Sequence, residues 1–441
     1  MDTLIFISLE SWDDIWRRNQ FVCAELARRY PDMRILFVCP PRDVSNAIRT
    51  RRFDLLRGPN NWHPDGYANI TVTRPLKLLP STLAIGRWVN DFMARRYVRR
   101  MAREIKPPSP LAAAPVPSSG YETPHAAAKG PAMAGPEAQI QNSGSPSPAT
   151  GRTILWINDQ GAAHMVGRMG EARMIYDITD DWTQFTHFTD RKALLDRTIA
   201  ADAELCRRAD AVIVCSRSLY ESRKALTRDI HLIPNGVDAA HYRCVLDDAG
   251  ALPEACRNWP RPVFGYTGSI HADRVDVKLV EAITARMKAR NMPGTIVLIG
   301  PVMLPADQRQ KLEATGRVIF TGPMAYRDLP QYMRAFDVCI VPHCMTAFVE
   351  SLNPIKLWEY LAAGKPIVST DVAGFRDYPD LVRSARTADE FVNQCREALA
   401  EGTEKSELRR AEAGKHSWRS RVDEIVALLA AGADEPRVAG Q

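Results

Sequence analysis

Residues 350–370, ESLNPIKLWEYLAAGKPIVST, decide the fold of this chain. Asn353 is a favoured N-cap residue, Pro354 suits the first helical position, and Gly364 suits the position after the last turn. The stretch therefore predicts a helix from Pro354 to Ala363, followed at once by the strand PIVST. A helix that leads directly into a short apolar strand is typical of a parallel α/β sheet.

The start of this predicted helix is suited to binding an anion. The free amides of Ile355 and Lys356 and the helix dipole place positive charge there, and the Lys356 side chain adds a full charge. A phosphate or diphosphate is the natural occupant. Glu359 lies one turn later, where a carboxylate would repel phosphate and would instead accept hydrogen bonds from sugar hydroxyls. A simple i,i+3 surface ion pair between Lys356 and Glu359 stays open as the alternative.

Similar short apolar runs alternate with helical patterns along the rest of the chain. The predicted strands are LIFIS (4–8), RILFV (34–38), TILWI (153–157), MIYDI (174–178), AVIVC (211–215), IHLIP (230–234), VFGYTGS (263–269), TIVLIG (295–300), RVIFTG (317–322), VCIVP (338–342) and PIVST (366–370). Continuously apolar strands separated by helices indicate parallel sheets covered on both faces. We therefore expect an α/β protein with two doubly wound, Rossmann-like domains facing across a cleft.

The predicted domain limits follow changes in composition. A polar stretch near 236–260 separates the two successions, which gives a first domain at 1–235 and a second at 236–412. Residues 107–150 consist mostly of Pro, Ala, Ser and Gly and predict a disordered insertion in the first domain. The chain has 441 residues, of which 45% are hydrophobic and 25% charged, as in soluble proteins. Its nine cysteines form no CxxC pair, so we expect a reducing, cytoplasmic location.

The positive charge of the chain, +6 in total, is concentrated on one predicted helix. Arginines at 95, 96, 99, 100 and 103 alternate with apolar residues that recur every four positions across 93–106, which predicts an amphipathic helix with a basic outer face. Two interpretations stay open: a solvated face, or peripheral contact with an anionic membrane, where each cation adds about 1 kcal/mol. No nucleic-acid-binding motif accompanies the charge, so we expect no nucleic-acid partner.

The pattern E-S-x-N-P-x-K-x-x-E-Y at 350–360 resembles the signature of the glycosyl transferases group 1 family, retaining enzymes with the GT-B fold. Its N-P-x-K-x-x-E-Y form is similar to the branch that builds bacterial exopolysaccharides and cell-wall glycans. RRADAVIVCSRSLYES with HLIPNGVDAAHY resembles the family's hinge region, in which Asn235-Gly236 supplies a turn able to adopt positive φ and Asp238 fixes the following backbone. HSWRSRVDEIVALLA resembles a final helix, 413–430, that crosses back onto the first domain.

The resemblance implies roles for individual residues. Two glutamates separated by seven residues hold the donor in this family, and Glu359 matches the second, which binds ribose hydroxyls. The first, which binds the transferred sugar, falls at Ser351, with Glu350 one position earlier. The backbone after Gly322 approaches the base of the nucleotide. The predicted donor-binding residues are Ser269, Arg274, Gly322, Glu350, Ser351, Asn353, Ile355, Lys356 and Glu359.

Two loops depart from the family pattern. The Arg and Lys that neutralise the diphosphate in many members have no matching pair at 268–274, where Arg274 and the backbone near Ser269 are the nearest substitutes. In the first domain, Arg17 and its neighbour Arg18 lie in a predicted helix beside the cleft and would meet an acceptor phosphate or the donor. An exposed helix face, with its start capped by Ser11 and Asp14, stays open as the alternative.

Acidic residues follow the predicted strand 174–178. Asp180 or Asp181 would orient the acceptor hydroxyl or act as its base, whereas helix capping by Asp181 is the alternative, and His187 is expected to be a surface histidine. The predicted catalytic residues are Arg17, Asp180, Asp181 and Lys356. Because fixed positive charge would stabilise the leaving diphosphate, we expect no essential metal and no cofactor beyond the nucleotide-sugar co-substrate.

The resemblance implies a retaining glycosyltransferase that moves a sugar from a nucleotide-diphosphate donor to a glycan or polyprenyl-diphosphate-linked acceptor, with a UDP sugar as the first expectation for the donor and GDP-mannose as the next. Two alternatives stay open. One is a catalytically silent partner of the same fold in polysaccharide assembly, and the other is a nucleotide-sugar epimerase. The expected location is cytoplasmic, with the inner face of the membrane as a peripheral site.

Overall fold

The computed structural model describes residues 2–105, 151–184 and 192–431. The predicted insertion at 107–150 and His187 lie outside these residues. Within them, the chain forms two large sheets, one on each side of residue 236, and a two-stranded sheet. No helix of the described residues is long and apolar enough to cross a membrane.

The first large sheet has eight strands in the order β10-β9-β8-β7-β1-β2-β5-β4. Its strands are β1 (Thr3–Ile7), β2 (Arg34–Val38), β4 (Asn61–Trp62), β5 (Ile70–Thr73), β7 (Thr153–Ile157), β8 (Arg173–Ile178), β9 (Ala211–Val214) and β10 (Ile230–Leu232). All neighbours are parallel except β4 and β5. Phe6 stacks between Phe37 and Trp156 on one face, with ring centroids 5.5 and 5.4 Å apart. β3 (Arg42–Asp43) and β6 (Leu76–Lys77) pair separately.

The second large sheet has six parallel strands in the order β13-β12-β11-β14-β15-β16. Its strands are β11 (Val263–Thr267), β12 (Thr295–Ile299), β13 (Val318–Gly322), β14 (Val338–Val341), β15 (Ile367–Thr370) and β16 (Arg383–Ala385). Among the parallel strands of each sheet the order reverses once, between β1 and β7 in the first sheet and between β11 and β14 in the second. Ligands of doubly wound folds bind outside the carboxyl ends of the strands at this reversal.

Fifteen helices lie in the described residues. They are α1 (Arg18–Arg29), α2 (Val44–Thr50), α3 (Ala84–Glu104), α4 (Lys192–Arg208), α5 (Arg217–Arg223), α6 (Cys244–Asp247), α7 (Glu254–Arg257), α8 (Val277–Ala289), α9 (Ala306–Ala314), α10 (Leu329–Met333), α11 (Ala347–Glu350), α12 (Ile355–Ala362), α13 (Ala388–Leu399), α14 (Glu404–Gly414) and α15 (Trp418–Ala431). Separate apolar clusters fill the two faces of each large sheet. The fold class predicted from the sequence is confirmed.

The last helix, α15, packs against α1 of the first sheet's layer. Trp418 stacks on Phe21 with ring centroids 4.8 Å apart, and Arg29 pairs with Asp423 at 2.7 Å. Gly236 lies where the chain passes this helix: a Cβ on it would stand 2.8 Å from the Trp418 nitrogen. Gly236 is absent from the residues with positive φ, so the predicted positive-φ turn is wrong, and close approach of two backbones is what requires glycine here.

Most predicted strands agree with the structure within one or two residues, but five short strands were missed. β3, β4, β6 and β16 contain only two or three residues, and β5 follows a turn without a helical pattern before it.

The predicted cap of the first helix is wrong as well. α1 begins at Arg18 with Arg17 in the N-cap position, and the Gln20 side chain, rather than Ser11 or Asp14, accepts a hydrogen bond from the Arg17 amide at 3.1 Å.

Candidate functional site

Helix α12 begins at the carboxyl edge of the second sheet. Pro354, with φ −72° and ψ 119°, occupies the N-cap position, so the helix starts one residue later than predicted. Asn353 does not cap it. Instead, the Asn353 side-chain oxygen accepts a hydrogen bond from the Asn235 amide at 2.9 Å, which joins the two domains. Gly364 has φ +68° and follows the last turn, as its sequence position suggested.

Lys356 connects this helix start to the loop that follows β11. Its Nζ donates a hydrogen bond to the Tyr266 hydroxyl at 2.9 Å and lies 4.5 Å from the centroid of that ring. A Cβ on Gly268 would stand 3.0 Å from the same Nζ, so the ammonium group reaches the loop backbone. Burial lowers the pKa of Lys356, the nearby Arg274 charge adds to the shift and Glu359 opposes it, and together they bring this pKa to about 7.

Glu359 lies one turn after Lys356 and is 9% exposed. Burial raises the pKa of its carboxyl group, while the Tyr242 hydroxyl and the Lys356 charge act in the opposite direction. A carboxylate kept in such a place needs hydrogen-bond donors, because desolvation without partners is costly. The Tyr242 hydroxyl is one such donor, and the ribose-binding role that the resemblance implies stays a prediction. The Lys356 ammonium group donates to Tyr266 and forms no ion pair with Glu359, so the simple i,i+3 surface pair is not what the structure shows.

The backbone at the ends of β11, β12 and β13 approaches closely around this loop. Gly300 has φ +144°, and a Cβ on it would stand 2.1 Å from the Gly268 carbonyl oxygen, so only glycine fits. Gly322 has φ +80° with open space at its Cβ position, and its carbonyl accepts a hydrogen bond from the Gly300 amide at 2.9 Å. The Ser269 carbonyl accepts a hydrogen bond from the Tyr266 hydroxyl at 3.2 Å. The backbone of Ser269 and Gly322 therefore lies in or beside the loop after β11 that the Lys356 ammonium group reaches.

Arg274 and Asp180, predicted separately, meet across the two domains. Arg274 Nη2 lies 3.2 Å from Asp180 Oδ1, and the guanidinium group lies over the Phe348 ring, 5.7 Å from its centroid. Burial raises the pKa of Asp180, and Arg274 acts to lower it. Arg274, the candidate for binding the diphosphate, and Asp180, the candidate for orienting the acceptor hydroxyl, thus form an ion pair.

Glu10 is a further candidate residue, which the sequence analysis missed and the structure places beside Arg17. Arg17 Nε lies 3.2 Å from Glu10 Oε1, and Arg17 Nη1 lies 3.2 Å from Asp13 Oδ1. Burial raises the pKa of Glu10, Arg17 and Arg274 oppose the shift and Asp180 adds to it, and together they bring this pKa to about 7. These groups therefore share one electrostatic neighbourhood. The position of Glu10, just after β1 at the reversal of strand order, could have identified it.

Two of the predicted candidates in the first domain have structural partners instead. Asp181 forms a buried ion pair with Arg223, whose Nη2 lies 2.7 Å from Asp181 Oδ1, and this contact lowers the pKa of Asp181 despite its burial. Asp181 is therefore held by Arg223, which gives it a structural role, and its catalytic role stays a prediction. Arg18 is 3% exposed and pairs with Asp177 at 3.1 Å, so it does not face a phosphate.

The two residues expected near the donor sugar point elsewhere. Glu350 ends α11 and pairs with Arg376 at the half-exposed surface. Ser351 is buried; its hydroxyl donates to the Phe348 carbonyl at 2.7 Å, and its own carbonyl accepts a hydrogen bond from the Ser216 hydroxyl at 2.6 Å. Ile355 is partly buried and packs against the apolar cluster of the first sheet. Ser351 and Asn353 thus hold the domains together, and their donor contacts stay predictions.

Among the described residues, no group of three or more His, Cys, Asp or Glu side chains is arranged to hold a metal ion. Metal independence stays a prediction. The nine cysteines are all free and most are buried, as expected for small core residues.

Comparison with known proteins supports the family suggested by the sequence. Residues 261–403 match the family model described as glycosyl transferases group 1. The chain is 27% identical over 300 residues to the "Putative teichuronic acid biosynthesis glycosyltransferase TuaH" of Bacillus subtilis (strain 168), a match that covers 62% of this chain and 71% of that relative.

Solved structures show the same fold over nearly the whole chain. Sucrose-phosphate synthase from Thermosynechococcus elongatus gives a TM-score of 0.65 at 14% identity, covering 98% of this chain and 99% of that one. An alpha,alpha-trehalose-phosphate synthase (UDP-forming) from Burkholderia vietnamiensis gives 0.61 at 13% identity, covering 98% and 97%.

The fold, shared with these solved structures over nearly the whole chain, defines a GT-B-type protein with two doubly wound domains. The second domain matches the glycosyl transferases group 1 family, and the findings support a glycosyltransferase, an enzyme of the transferase class. Such a family implies a nucleotide-sugar donor and a glycan acceptor. The predicted fold is confirmed down to the GT-B type.

Proposed function

We propose that this protein transfers a sugar, with retention, from a UDP-linked donor to a glycan or polyprenyl-diphosphate-linked acceptor of a bacterial surface polysaccharide. The observation that carries the proposal is the Lys356 ammonium group, held between the start of α12 and the Gly268 loop, with Glu359 buried one turn further in. The name of the B. subtilis relative, a putative teichuronic acid biosynthesis glycosyltransferase, supports a cell-wall glycan product.

The site would act on the leaving group by fixed charge. The first amides of α12 and the Lys356 side chain would bind the diphosphate, because a helix N-terminus and a cation converge there. Arg274 would join them by exchanging Asp180 for a phosphate oxygen. Positive charge already in place stabilises the diphosphate as it departs, without reorganisation during the reaction. Asp180, once separated from Arg274, would orient the acceptor hydroxyl.

Retention is proposed on the family resemblance, with the acceptor hydroxyl attacking the face that the diphosphate leaves. The departing phosphate oxygen would take the hydroxyl proton, so that no protein base is needed on the opposite face. The expected absence of an essential metal is part of the same proposal, because the cations of the protein would supply the charge. Chelator treatment followed by a transfer assay tests it: activity lost to chelator and restored by a divalent cation would refute it.

The donor assignment is tested with Glu359→Ala. We expect isothermal calorimetry to show loss of measurable UDP-sugar binding, because the buried carboxylate would no longer accept the ribose hydroxyl hydrogen bonds. Glu397→Ala, an exposed glutamate that pairs with Arg383 in the same domain, is the matched control and should bind as wild type does. Unchanged affinity in Glu359→Ala would refute the donor pocket. A thermal-stability panel of nucleotide sugars selects the donor to use, because a ligand of the folded state raises its stability.

A silent partner of the same fold is the second candidate, and one observation favours it. Glu350 points to Arg376, and the position expected to contact the donor sugar is the buried Ser351. Slow hydrolysis of the bound donor by the purified protein, without acceptor, would exclude a silent partner. Sugar interconversion in the same sample, followed by NMR, would instead identify an epimerase.

A further inference from the structure

Exposed apolar side chains gather on one region of the first domain, away from the donor site. Of the 17 large apolar side chains that are exposed among the described residues, ten lie between residues 48 and 92. Ile85 is 70% exposed, Trp88 63% and Phe92 49%. Scattered single apolar residues are ordinary on a protein surface, but a contiguous group marks an interaction site.

These side chains lie on the outward face of α3. Positions three and four apart share one face of a helix, and the exposed face changes from apolar to basic along its length. The residues of this face, the α3 stripe, are Ile85, Trp88, Phe92, Arg96, Arg99 and Arg103. The stripe rises about 27 Å from end to end at 1.5 Å per residue. The opposite face, around Val98 and Met101, packs on the core of the first sheet.

The apolar half of the stripe is held in place by the protein. Trp88 stacks on Phe92 with ring centroids 5.9 Å apart and an interplanar angle of 13°. The Asn90 side chain, on the inner side of the helix, accepts hydrogen bonds from the amides of Leu78 and Leu79 at 3.0 and 3.1 Å. Both leucines are exposed, so this contact holds two further exposed apolar residues against the first turns of α3.

The charge of the same region is strongly positive. Residues 42–104 contain thirteen Arg or Lys and five Asp or Glu, a net charge of +8, whereas the whole chain carries +6. Arg96 and Arg103 are exposed, and Arg99 is exposed while donating to the Arg168 carbonyl. An apolar patch that continues into arginines on one helix face complements a surface that has an apolar interior and anionic head groups.

We propose that the α3 stripe docks the first domain onto an anionic lipid bilayer. Ile85, Trp88 and Phe92 enter the boundary between head groups and acyl chains, and Arg96, Arg99 and Arg103 lie over the lipid phosphates. Aromatic and aliphatic side chains supply affinity by burial, and the arginines make it depend on lipid charge and on salt. The proposal extends the basic face predicted at 93–106 by adding an apolar insertion surface, and it does not rest on the donor site.

The experiment is flotation of the full chain with phosphatidylcholine vesicles and with phosphatidylcholine–phosphatidylglycerol vesicles. We expect strong flotation with the anionic vesicles, weak flotation with the neutral ones, and loss of the difference at high salt. Trp88→Ser/Phe92→Ser should lower partitioning about a hundredfold. Arg96→Gln/Arg103→Gln should lower it about 25-fold on anionic vesicles only, at about fivefold for each arginine.

The matched control is Ile199→Ser/Leu408→Ser, which removes two exposed apolar side chains outside the region and should float as wild type does. The proposal would be overturned if the wild-type protein did not float with anionic vesicles, or if the stripe variants floated as well as wild type does. A dimer in sedimentation that the Trp88→Ser/Phe92→Ser variant loses, without flotation, would assign the stripe to a second copy and would also overturn it. UDP binding in each variant reports the donor site separately, so the two proposals can fail independently.

Discussion

The ion pair between Arg274 and Asp180 offers the sharpest test of how the site would bind a diphosphate. The two groups lie 3.2 Å apart across the domains, with side chains 25% and 18% exposed. If Arg274 binds the diphosphate, it must leave Asp180 to do so. Asp180→Asn removes the competing charge but keeps the size of the side chain. We therefore predict that this variant binds UDP more tightly than wild type.

The size of the gain follows from the contact that is exchanged. A hydrogen bond to a charged group contributes about 1.5–3 kcal/mol. Asparagine can still accept one hydrogen bond from Arg274, so only part of that contribution is released. A release of about 1.4 kcal/mol corresponds to a tenfold change in affinity, and we expect a gain of about that size. Sugar transfer should fall in the same variant, because Asp180 is also the candidate for orienting the acceptor hydroxyl.

Calorimetric titration with UDP of wild type, Asp180→Asn, Arg274→Gln and the double variant separates exchange from simple repulsion. If Arg274 leaves Asp180 to bind the diphosphate, Arg274→Gln should bind UDP more weakly than wild type, and the double variant should bind UDP no better than Arg274→Gln alone. A gain that persists without Arg274 would mean that Asp180 only repels the diphosphate. Glu397→Gln is the charge-matched control, because Glu397 is an exposed carboxylate of the same domain whose basic partner is Arg383. Unchanged or weaker UDP binding by Asp180→Asn would refute the reasoning.

Two further predictions concern buried ionisable groups. The pKa of Lys356 is lowered to about 7, and a bound diphosphate favours its charged form, so UDP binding above pH 7 should take up protons and weaken as pH rises. Calorimetry in buffers of different ionisation enthalpy measures the uptake; uptake unchanged in Lys356→Met would contradict it. Arg223→Met leaves the buried Asp181 and Asp202 without their cation and should lower the free energy of unfolding by about 3–5 kcal/mol. Denaturant unfolding measures the loss, and a midpoint equal to that of wild type would contradict the structural role given to Asp181.

The fold was predictable because its information is local. Apolar runs of four to six residues that alternate with helical periods predict parallel strands wherever the chain is buried on both faces. β7 and β2 were placed residue for residue by their β-branched and aromatic runs. β4 and β16 could not be placed in this way, because two or three residues at a sheet edge carry no periodicity.

The site was predictable only where one stretch of chain builds it. The residues that start, charge and end α12 lie within 353–364, so the helix was predicted with an error of one residue in its cap, and the anion site at its start stays a prediction. The partners of Asp181 could not, because Arg223 is 42 residues away and reaches it only through the packing of α5 beside the strand ends. Such pairings depend on tertiary structure, and a carboxylate at a strand end looks the same in sequence whether it is paired or available.

The long-range pairings also change what the positive charge at the cleft means. Lys356 donates to Tyr266, Arg274 pairs with Asp180, and Arg17 pairs with Glu10. A diphosphate would therefore meet cations that already have partners, and its affinity would be the difference between phosphate contacts and the contacts that it displaces. Removing a cation weakens both the phosphate contacts and the contacts that the phosphate displaces. Removing a displaced carboxylate weakens only the displaced contacts. For this reason the increase expected from Asp180→Asn discriminates between models more sharply than the loss expected from Arg274→Gln.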